Sequence, residues 1–405
     1  MINRELYMQK IRPFINQDVV KVLTGIRRCG KSVMLNLIRS ELLQSGVSEN
    51  QMLSINFESR AVSYTQNLDQ TFSIIQELAQ SFAAKTKIYL FLDEIQELDG
   101  WEKMINSCLI DFDVDIYITG SNAKMLSGEL ATYLGGRYIE INIYPFSYSE
   151  AIDILKQSGQ YQSDSEAFRH YLTYGGMPFL YQVNLEKDDA MQYLGDIYNS
   201  ILLKDIAQRN KIRDIDLFKR VLLFFISNIG NSFSAASIVK YLKSEQRSLS
   251  LETVYNYIEY CKSACLLHMV PREDIAGKRM LSFQEKIYIT DHGFRESILE
   301  NNEANINQVL ENIVFLELLR RGYEITVGKT DGREVNFVCK RRDEKIYIQV
   351  AYLLAAQETI EREFSAYDDI RDNYPKYVIS MDELNMSRNG IKHLNIRQFL
   401  LEQNI

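Results

Sequence analysis

The sequence predicts an α/β fold whose first part is a parallel sheet covered by helices on both faces. Apolar runs rich in β-branched residues predict strands at 19–24, 52–57, 87–92, 115–119 and 137–143. Helical stretches separate these runs, and alternation of strand and helix is typical of parallel sheets. Glycines, carboxylates and other polar residues follow directly after three of the strands. A ligand is therefore expected at the carboxyl edge of the sheet.

The first predicted strand runs into a complete phosphate-binding loop (P-loop), Gly25-Ile26-Arg27-Arg28-Cys29-Gly30-Lys31-Ser32. Its two glycines let the backbone curl, so that successive N–H groups and the following helix N-terminus face a phosphate. Lys31 can neutralise the β and γ oxygens of a nucleoside triphosphate, and Ser32 can bind Mg²⁺. The predicted nucleotide-binding residues are Gly25, Ile26, Arg27, Arg28, Cys29, Gly30, Lys31, Ser32 and Val33.

A second run, 87–94, is a buried strand that ends in two carboxylates, which is the form of a Walker B segment. Asp93 would hold Mg²⁺ through its water shell, and Glu94 would orient and deprotonate the attacking water. The alternative is an ordinary strand capped by solvated acids. Its position some 60 residues after the P-loop favours the catalytic interpretation.

A third strand, 115–119, is followed by Gly120, Ser121 and Asn122. Ser121 and Asn122 are candidates to contact the γ-phosphate and the attacking water. The alternative is that one of them caps a helix that begins near Ala123. Both roles are compatible with one another.

The composition is that of a folded protein of two to four domains, with 405 residues, 46% hydrophobic and 25% charged. The net charge of -8 argues against a protein that coats nucleic acid nonspecifically. The longest apolar stretch, 221–226, is far below the ~20 residues of a membrane span. With no apolar signal region at the start and an odd number of cysteines, a cytoplasmic location is expected.

Beyond residue 145 the pattern becomes helical. The segment 214–295 has the order helix, helix, hairpin that is typical of a winged helix, with strands predicted at 266–271, 280–283 and 286–289. Its second long helix would be the recognition element if this segment read DNA, and five basic residues could contact phosphate: Lys240, Lys243, Arg247, Lys278 and Arg279. Acidic residues are interspersed with them. The sequence therefore leaves both DNA and a protein partner open for this segment.

These motifs resemble a family of bacterial and archaeal ATPases with an AAA-like module, a winged helix and a C-terminal domain of unknown function with a restriction-endonuclease-like fold. The resemblance rests on the P-loop and on later motifs: Phe91-Leu92-Asp93-Glu94-Ile95-Gln96, Ile118-Thr119-Gly120-Ser121-Asn122-Ala123, Gly135-Gly136-Arg137-Tyr138, Gly175-Gly176-Met177-Pro178 and Lys286-Ile287-Tyr288-Ile289-Thr290-Asp291. It implies ATP as the nucleotide. It also implies an ATPase core at 1–150, a helical lid at 151–213, a winged helix at 214–295 and a nuclease-like α/β domain at 296–405.

The resemblance also implies a role for Arg137, which stands where a γ-phosphate-sensing arginine is expected. The alternative is an arginine on a strand edge that pairs with Glu140 or Glu150. Arg27 and Arg28 likewise either contact nucleotide or pair with Glu94 or Glu97.

The predicted nuclease-like domain lacks most of the acids that cleavage needs. A nuclease of this fold places an acid on a helix, an aspartate on one strand and Glu-x-Lys on the next, and these hold Mg²⁺ and activate water. This chain has Glu311, Asn336, Gln349 and Ala351 at those positions. Neutral amides attract a dication weakly, so cleavage is not expected. A displaced metal site that includes Glu334 remains an alternative.

The prediction for function is an ATP- and Mg²⁺-dependent molecular switch that acts on a DNA or protein partner through its C-terminal domains. Two alternatives remain: a DNA-processing nuclease driven by ATP, and a nucleotide-binding scaffold with negligible turnover. Mg²⁺-dependent cutting of DNA and measured phosphate release would separate the three. Assembly with further copies of the chain is left open.

Overall fold

The computed structural model describes residues 2–59, 67–82, 86–122, 133–277, 279–300, 302–330 and 332–402. The chain divides into two compact units. The N-terminal unit comprises Met1–Tyr144 together with Ser263–Cys265, and the C-terminal unit comprises Pro145–Lys262 and Leu266–Ile405.

The N-terminal unit alternates helices and strands, as predicted. Its described helices are α1 (Glu5–Ile11), α2 (Lys31–Gln44), α3 (Leu68–Gln80) and α4 (Trp101–Asp111). Its described strands are β1 (Val20–Thr24), β2 (Met52–Asn56), β3 (Ile88–Asp93), β4 (Val114–Gly120) and β5 (Tyr138–Asn142). The five predicted strands are therefore confirmed, with ends that differ by at most one residue.

The five strands form one parallel sheet in the order β2-β3-β4-β1-β5. Every residue of β1, β3 and β4 is buried, because helices cover a parallel sheet on both faces. In this order β1 lies beside β4, and β4 lies beside β3. The ends of the three strands that carry the predicted motifs therefore meet at one edge.

Within the described residues, the C-terminal unit has ten helices, and the last four alternate with its strands or follow them. They are α5 (Tyr148–Gln157), α6 (Asp164–Tyr174), α7 (Lys187–Ser200), α8 (Ile215–Ser227), α9 (Ala235–Ser244), α10 (Leu251–Ser263), α11 (His292–Leu299), α12 (Ile306–Arg320), α13 (Gln357–Ser365) and α14 (Ile396–Leu401). A π-helical turn, Ile201–Gln208, continues α7.

The same unit contains a second sheet of seven strands, in the order β12-β11-β10-β9-β8-β6-β7. The strands are β6 (Leu267–Asp274), β7 (Arg279–Ile289), β8 (Glu324–Lys329), β9 (Glu334–Arg341), β10 (Glu344–Val350), β11 (Lys376–Ser380) and β12 (Lys392–Asn395). The predicted hairpin is present as the antiparallel pair β6 and β7, but the two short strands predicted at 280–283 and 286–289 are one strand. Since β6 also pairs with β8, a single sheet crosses the predicted domain boundary at 295/296.

Two motifs of the sequence meet inside this unit. Asp291 caps α11, and its carboxylate accepts hydrogen bonds from the Gly176 and Gly293 amides, both at 2.8 Å. A Cβ atom at Gly175, where φ is +71°, would lie 1.8 Å from Asp291 Oδ1. Glycine is therefore required where α6 ends. In the described part of the chain, no helix combines the length and apolar character needed to cross a membrane.

Candidate nucleotide site

Two glycines shape the loop between β1 and α2. Gly25 has a φ of +146°, and a Cβ atom there would lie 2.1 Å from the Ile143 carbonyl oxygen. Only glycine fits such a close approach. Gly30, with a φ of +103°, directly precedes α2. Because glycine has no side chain with which to cap the helix, the first N–H groups of α2 are available to an anion.

Lys31 is the first residue of α2, and its ammonium is buried at the mouth of the loop, with 4% of the residue exposed. Its Nζ lies 3.1 Å from the Gly25 carbonyl oxygen and 3.4 Å from that of Ile26. It also lies 3.3 Å from Glu94 Oε1. The structure thus brings together the lysine of the predicted P-loop and the second carboxylate of the predicted Walker B segment.

Asp93 ends β3, and each of its carboxylate oxygens accepts a hydrogen bond from a neighbouring strand. Thr119 Oγ1 donates to Oδ1 at 2.6 Å, and Asn56 Nδ2 donates to Oδ2 at 3.0 Å. These bonds fix the plane of the carboxylate and leave lone pairs for a magnesium-bound water. Thr119 also accepts from the Glu94 amide at 2.8 Å.

Glu94 adopts a left-handed conformation with a φ of +52°, which turns the chain at the end of β3. Burial alone would raise the pKa of its carboxyl, but the charge of Lys31 and the hydrogen bond from Gln96 Nε2, at 2.6 Å, outweigh burial and lower this pKa. Glu94 is therefore ionised at neutral pH. It is in the protonation state that a general base needs.

Ser121 and Asn122 follow β4 at the same edge. Ser121 is 1% exposed, and its hydroxyl has no hydrogen-bond partner within the described residues. An unpartnered buried hydroxyl is costly, so this atom is suited to a bound phosphate or water. The helix that either residue would cap was predicted to begin near Ala123, and 123–132 lie outside the described residues.

Sequence analysis did not identify Arg4, although it holds the loop in place. Arg4 is 4% exposed; its Nη1 donates to the Cys29 carbonyl oxygen at 3.0 Å, and its Nη2 donates to that of Tyr144 at 2.8 Å. A lone arginine far ahead of the loop has no spacing that could have revealed it. Asn56 and Thr119 could have been found, because each lies at the carboxyl end of a predicted strand.

The other loop residues divide between interior and surface. Ile26 and Cys29 are buried, and the Cys29 thiol donates to the Ile143 carbonyl oxygen at 3.1 Å. Burial raises the pKa of this thiol. Arg28 and Ser32 are exposed, while Val33 is half-buried. The exposed Ser32 hydroxyl is open to a metal ion.

Arg27 and Arg137 each contact a residue that the sequence alternatives did not name, and the charge of Arg27 also helps to lower the pKa of Glu94. Arg27 Nη1 lies 2.9 Å from Glu58 Oε1. Arg137 Nη2 donates to Asn106 Oδ1 at 2.6 Å, and Glu140 instead accepts from Thr24 at 2.8 Å. The roles of these arginines toward nucleotide stay predictions.

These residues fit a magnesium nucleotide. The loop offers N–H donors, Lys31 offers a positive charge, and Ser32 and Asp93 offer the oxygen ligands that Mg²⁺ prefers. The unpartnered Ser121 hydroxyl adds a further donor at the same edge.

The positions of the predicted nuclease centre also come together, in the C-terminal unit. Asn336 Nδ2 donates to Glu311 Oε2 at 3.0 Å, and the Asn336 amide donates to Gln349 Oε1 at 2.8 Å. Ala351 is buried just beyond β10. Within the described residues, no group of three or more His, Cys, Asp and Glu side chains could hold a metal ion.

Two family models match the chain. Residues 17–152 match an AAA domain, and residues 165–305 match a domain of unknown function, DUF8612. The first match covers the whole parallel sheet with its P-loop. The second covers most of the helices of the C-terminal unit and the hairpin of β6 and β7.

Relatives extend over nearly the whole chain. An uncharacterized protein of Haemophilus influenzae is 37% identical over 99% of this chain and 99% of its own. An uncharacterized protein of Methanocaldococcus jannaschii is 29% identical over 91% of this chain and 81% of its own. Among solved structures, a Walker-type ATPase of Pyrococcus abyssi is 14% identical, covers 73% of this chain and 95% of its own, and has a TM-score of 0.49.

Proposed function

Since this chain belongs to the AAA-type family of P-loop ATPases, we propose that it binds and hydrolyses ATP and uses the nucleotide state to control a macromolecular partner. The observation that carries this proposal is the pairing of Lys31 with Glu94 across 3.3 Å, beside the oriented carboxylate of Asp93. A phosphate-binding cation and an ionised base thus stand at one sheet edge.

Each side chain has a proposed task in hydrolysis. Lys31 leaves Glu94 for the β and γ oxygens of ATP, while Ser32 and Asp93 hold Mg²⁺, which would neutralise the phosphate charge. Glu94, freed from its lysine, accepts a proton from the attacking water. Ser121 and Asn122 donate hydrogen bonds to the γ-phosphate or the water.

Arg137 is the proposed γ-phosphate sensor, either on its own subunit or toward a neighbouring copy. Its guanidinium is held by Asn106 in the structure. This contact would have to be exchanged for phosphate during turnover.

For the exposed surface of α10, the proposed partner is a protein. Leu251 and Tyr255 lie one helical turn apart and are each about half exposed, at 50% and 49%. Glu252 and Glu259 are exposed on the same helix. An apolar and acidic face repels the phosphates of DNA and suits a protein surface with basic residues at its rim.

Basic residues near α10 are partly engaged by acids. Arg247 Nη2 lies 2.8 Å from Asp216 Oδ2, and Lys262 Nζ lies 2.6 Å from Glu259 Oε1. Lys278 and the side chain of Arg279 lie outside the described residues. Fluorescence anisotropy with labelled duplex DNA tests this choice, since tight salt-sensitive binding that Lys240→Glu abolishes would make DNA the partner.

Hydrolysis is tested by phosphate release from Glu94→Gln, with Glu97→Gln as its control because Glu97 is exposed on the same turn. We expect Glu94→Gln to bind ATP and to lose about 10²- to 10⁴-fold in turnover. Glu97→Gln should keep the wild-type rate. Wild-type turnover by Glu94→Gln would refute the assignment of the base, and no phosphate release by the wild type would leave a nucleotide-binding scaffold.

A further inference from the structure

A buried ion-pair cluster joins three elements of the C-terminal unit. Lys286 of β7 has its Nζ 2.8 Å from Glu311 Oε1 of α12 and 2.7 Å from Glu334 Oε1 of β9. The lysine side chain is 4% exposed, that of Glu311 is 10% exposed and that of Glu334 is 34% exposed. A single ammonium thus bridges two carboxylates inside the protein.

Both carboxylates have further hydrogen-bond partners. Tyr288 donates to Glu311 Oε1 at 2.6 Å, and Asn336 Nδ2 donates to Glu311 Oε2 at 3.0 Å. Arg272 Nη2 donates to Glu334 Oε2 at 2.5 Å. The cluster is therefore neutral, because the two charges of Lys286 and Arg272 balance two carboxylates. Without the Lys286 charge, Arg272 and the two carboxylates would leave a net charge of −1, which attracts a cation.

The two amides that replace acids are committed to the backbone. Asn336 Oδ1 accepts from the Val350 amide at 2.8 Å, and Gln349 Oε1 accepts from the Asn336 amide at 2.8 Å. The ladder between β9 and β10 reaches the pair of Phe337 and Ile348. The two side chains extend it by one step, and they are not available to a metal.

We propose that the Lys286 ammonium takes the place of a divalent cation between Glu311 and Glu334, so that this centre is a closed structural ion-pair cluster in the wild type and becomes a Mn²⁺ site when the lysine charge is removed. The inference concerns the C-terminal unit alone and does not depend on ATP hydrolysis.

The protonation state of the lysine supports this assignment. Burial by itself lowers the pKa of Lys286, but the charges and hydrogen bonds of Glu311 and Glu334 outweigh burial and raise it. The ammonium therefore stays charged near neutral pH. A cation entering between the two glutamates would have to expel a charged group that is already bonded to both.

The test compares the wild type with Lys286→Met, which keeps most of the length of the side chain and removes its charge. We expect the melting temperature to fall by about 10 °C, because two buried carboxylates lose their partner. Addition of Mn²⁺ should restore at least half of this loss. Isothermal titration should show Mn²⁺ binding to the variant and none to the wild type.

Two further variants separate the cluster from general damage. Lys219→Met, which removes an exposed lysine of α8, should melt like the wild type. Lys286→Met combined with Glu311→Gln should lose the response to Mn²⁺. The proposal is overturned if the wild type binds Mn²⁺ at this centre, if Lys286→Met melts like the wild type, or if the double variant still responds.

The double variant also keeps the proposal testable if Lys286→Met does not fold. Lys286→Met with Glu311→Gln removes one charge of each sign and leaves Glu334 paired with Arg272, so it should fold. Its failure to fold would contradict the proposal. Wild-type protein should also leave supercoiled plasmid uncut in Mn²⁺, and nicking that Glu311→Ala abolishes would overturn the closed cluster.

Discussion

The two units each bury a lysine beside glutamate, and the two lysines are held very differently. Lys31 lies 3.3 Å from one carboxylate, and its nearer contact is a loop carbonyl oxygen at 3.1 Å. Lys286 lies within 2.8 Å of two carboxylates whose other oxygens are also bonded. Burial is similar, at 4% and 3% exposed.

The difference shows that the neighbours of a buried lysine, more than its burial, decide whether it can serve a ligand. A triphosphate carries more negative charge than the single carboxylate of Glu94, so it can draw Lys31 away. Nothing comparable can draw Lys286 from two carboxylates at shorter distances. One lysine is thus available for exchange, and the other is part of the structure.

The largest expected effect separates the two lysines by nucleotide affinity. Lys31→Met should weaken Mg-ATP binding about 10³-fold, because it removes charge-assisted hydrogen bonds worth about 1.5–3 kcal/mol each. Lys286→Met should bind ATP as the wild type does. Titration calorimetry with a non-hydrolysable ATP analogue measures both. An equal loss of ATP affinity in the two variants would contradict the assignment of Lys31, and not Lys286, to the nucleotide site.

The next prediction tests the proposed role of Arg137 in the N-terminal unit. Arg137→Ala should slow ATP turnover about 10³-fold with little change in binding, as expected for an arginine that senses the γ-phosphate. Asn106→Ala removes only the partner that holds Arg137 and should stay near the wild-type rate. A loss of less than about threefold in Arg137→Ala would make this residue a structural contact.

The pH dependence of stability between pH 6.5 and 4 should be larger in the C-terminal unit, which contains all four histidines of the chain. Burial lowers the pKa of His170, His268 and His292 to about 4. The unfolded chain then binds more protons between pH 6.5 and 4, so stability is lost as the pH falls through this window. Asp291 acts oppositely, since burial raises its pKa to about 6.

With three histidines against one aspartate, acidification should destabilise the C-terminal unit. Each of these histidines should lower the free energy of unfolding by about 3 kcal/mol as the pH falls through this window. Urea unfolding at pH 7 and pH 4.5, followed by circular dichroism, measures the loss, and His292→Gln should make it smaller. Trp101, the chain's single tryptophan, lies in the N-terminal unit, and its emission should depend less on pH. Equal pH dependence of both signals would contradict the assignment.

The smallest effect concerns the glycines. Gly25→Ala should destabilise the N-terminal unit by about 2 kcal/mol and weaken ATP binding, because its Cβ would meet the Ile143 carbonyl oxygen. Gly195→Ala, in α7 with nothing within 4 Å of its Cβ, should stabilise the chain by about 1 kcal/mol. Tolerance of Gly25→Ala in both assays would show that the loop relaxes.

Prediction from the sequence worked best where burial acts on a continuous segment. The strands of the N-terminal unit are covered on both faces, so each appears as an uninterrupted apolar run that can be read directly. The long strand β7 was divided in two because Gln284 and Glu285 interrupt its apolar pattern. Pairing with β6 is interrupted between Lys286 and Leu281, opposite Pro271, which has no N–H to donate, and it resumes beyond with a shifted register.

The sequence indicates the chemistry of the proposed nucleotide site but not the contacts that support it. The spacing of the P-loop identifies Lys31 and Ser32, because neighbours in sequence build that loop. The bonds from Thr119 and Asn56 to Asp93 depend on strand order, and the contact from Arg4 to the loop depends on α1. Such partners come from distant segments and leave no local pattern.

The sequence by itself determined the class of the N-terminal fold, the phosphate-binding loop and the loss of acids from the predicted nuclease centre. Each of these is a matter of residue type at fixed local spacing. Only the tertiary structure decided that Lys286 lies between Glu311 and Glu334, since β7, α12 and β9 meet only when the seven-stranded sheet is assembled. A lysine in a strand is ordinarily solvated, and its charge gains a structural role only through long-range contacts that burial enforces.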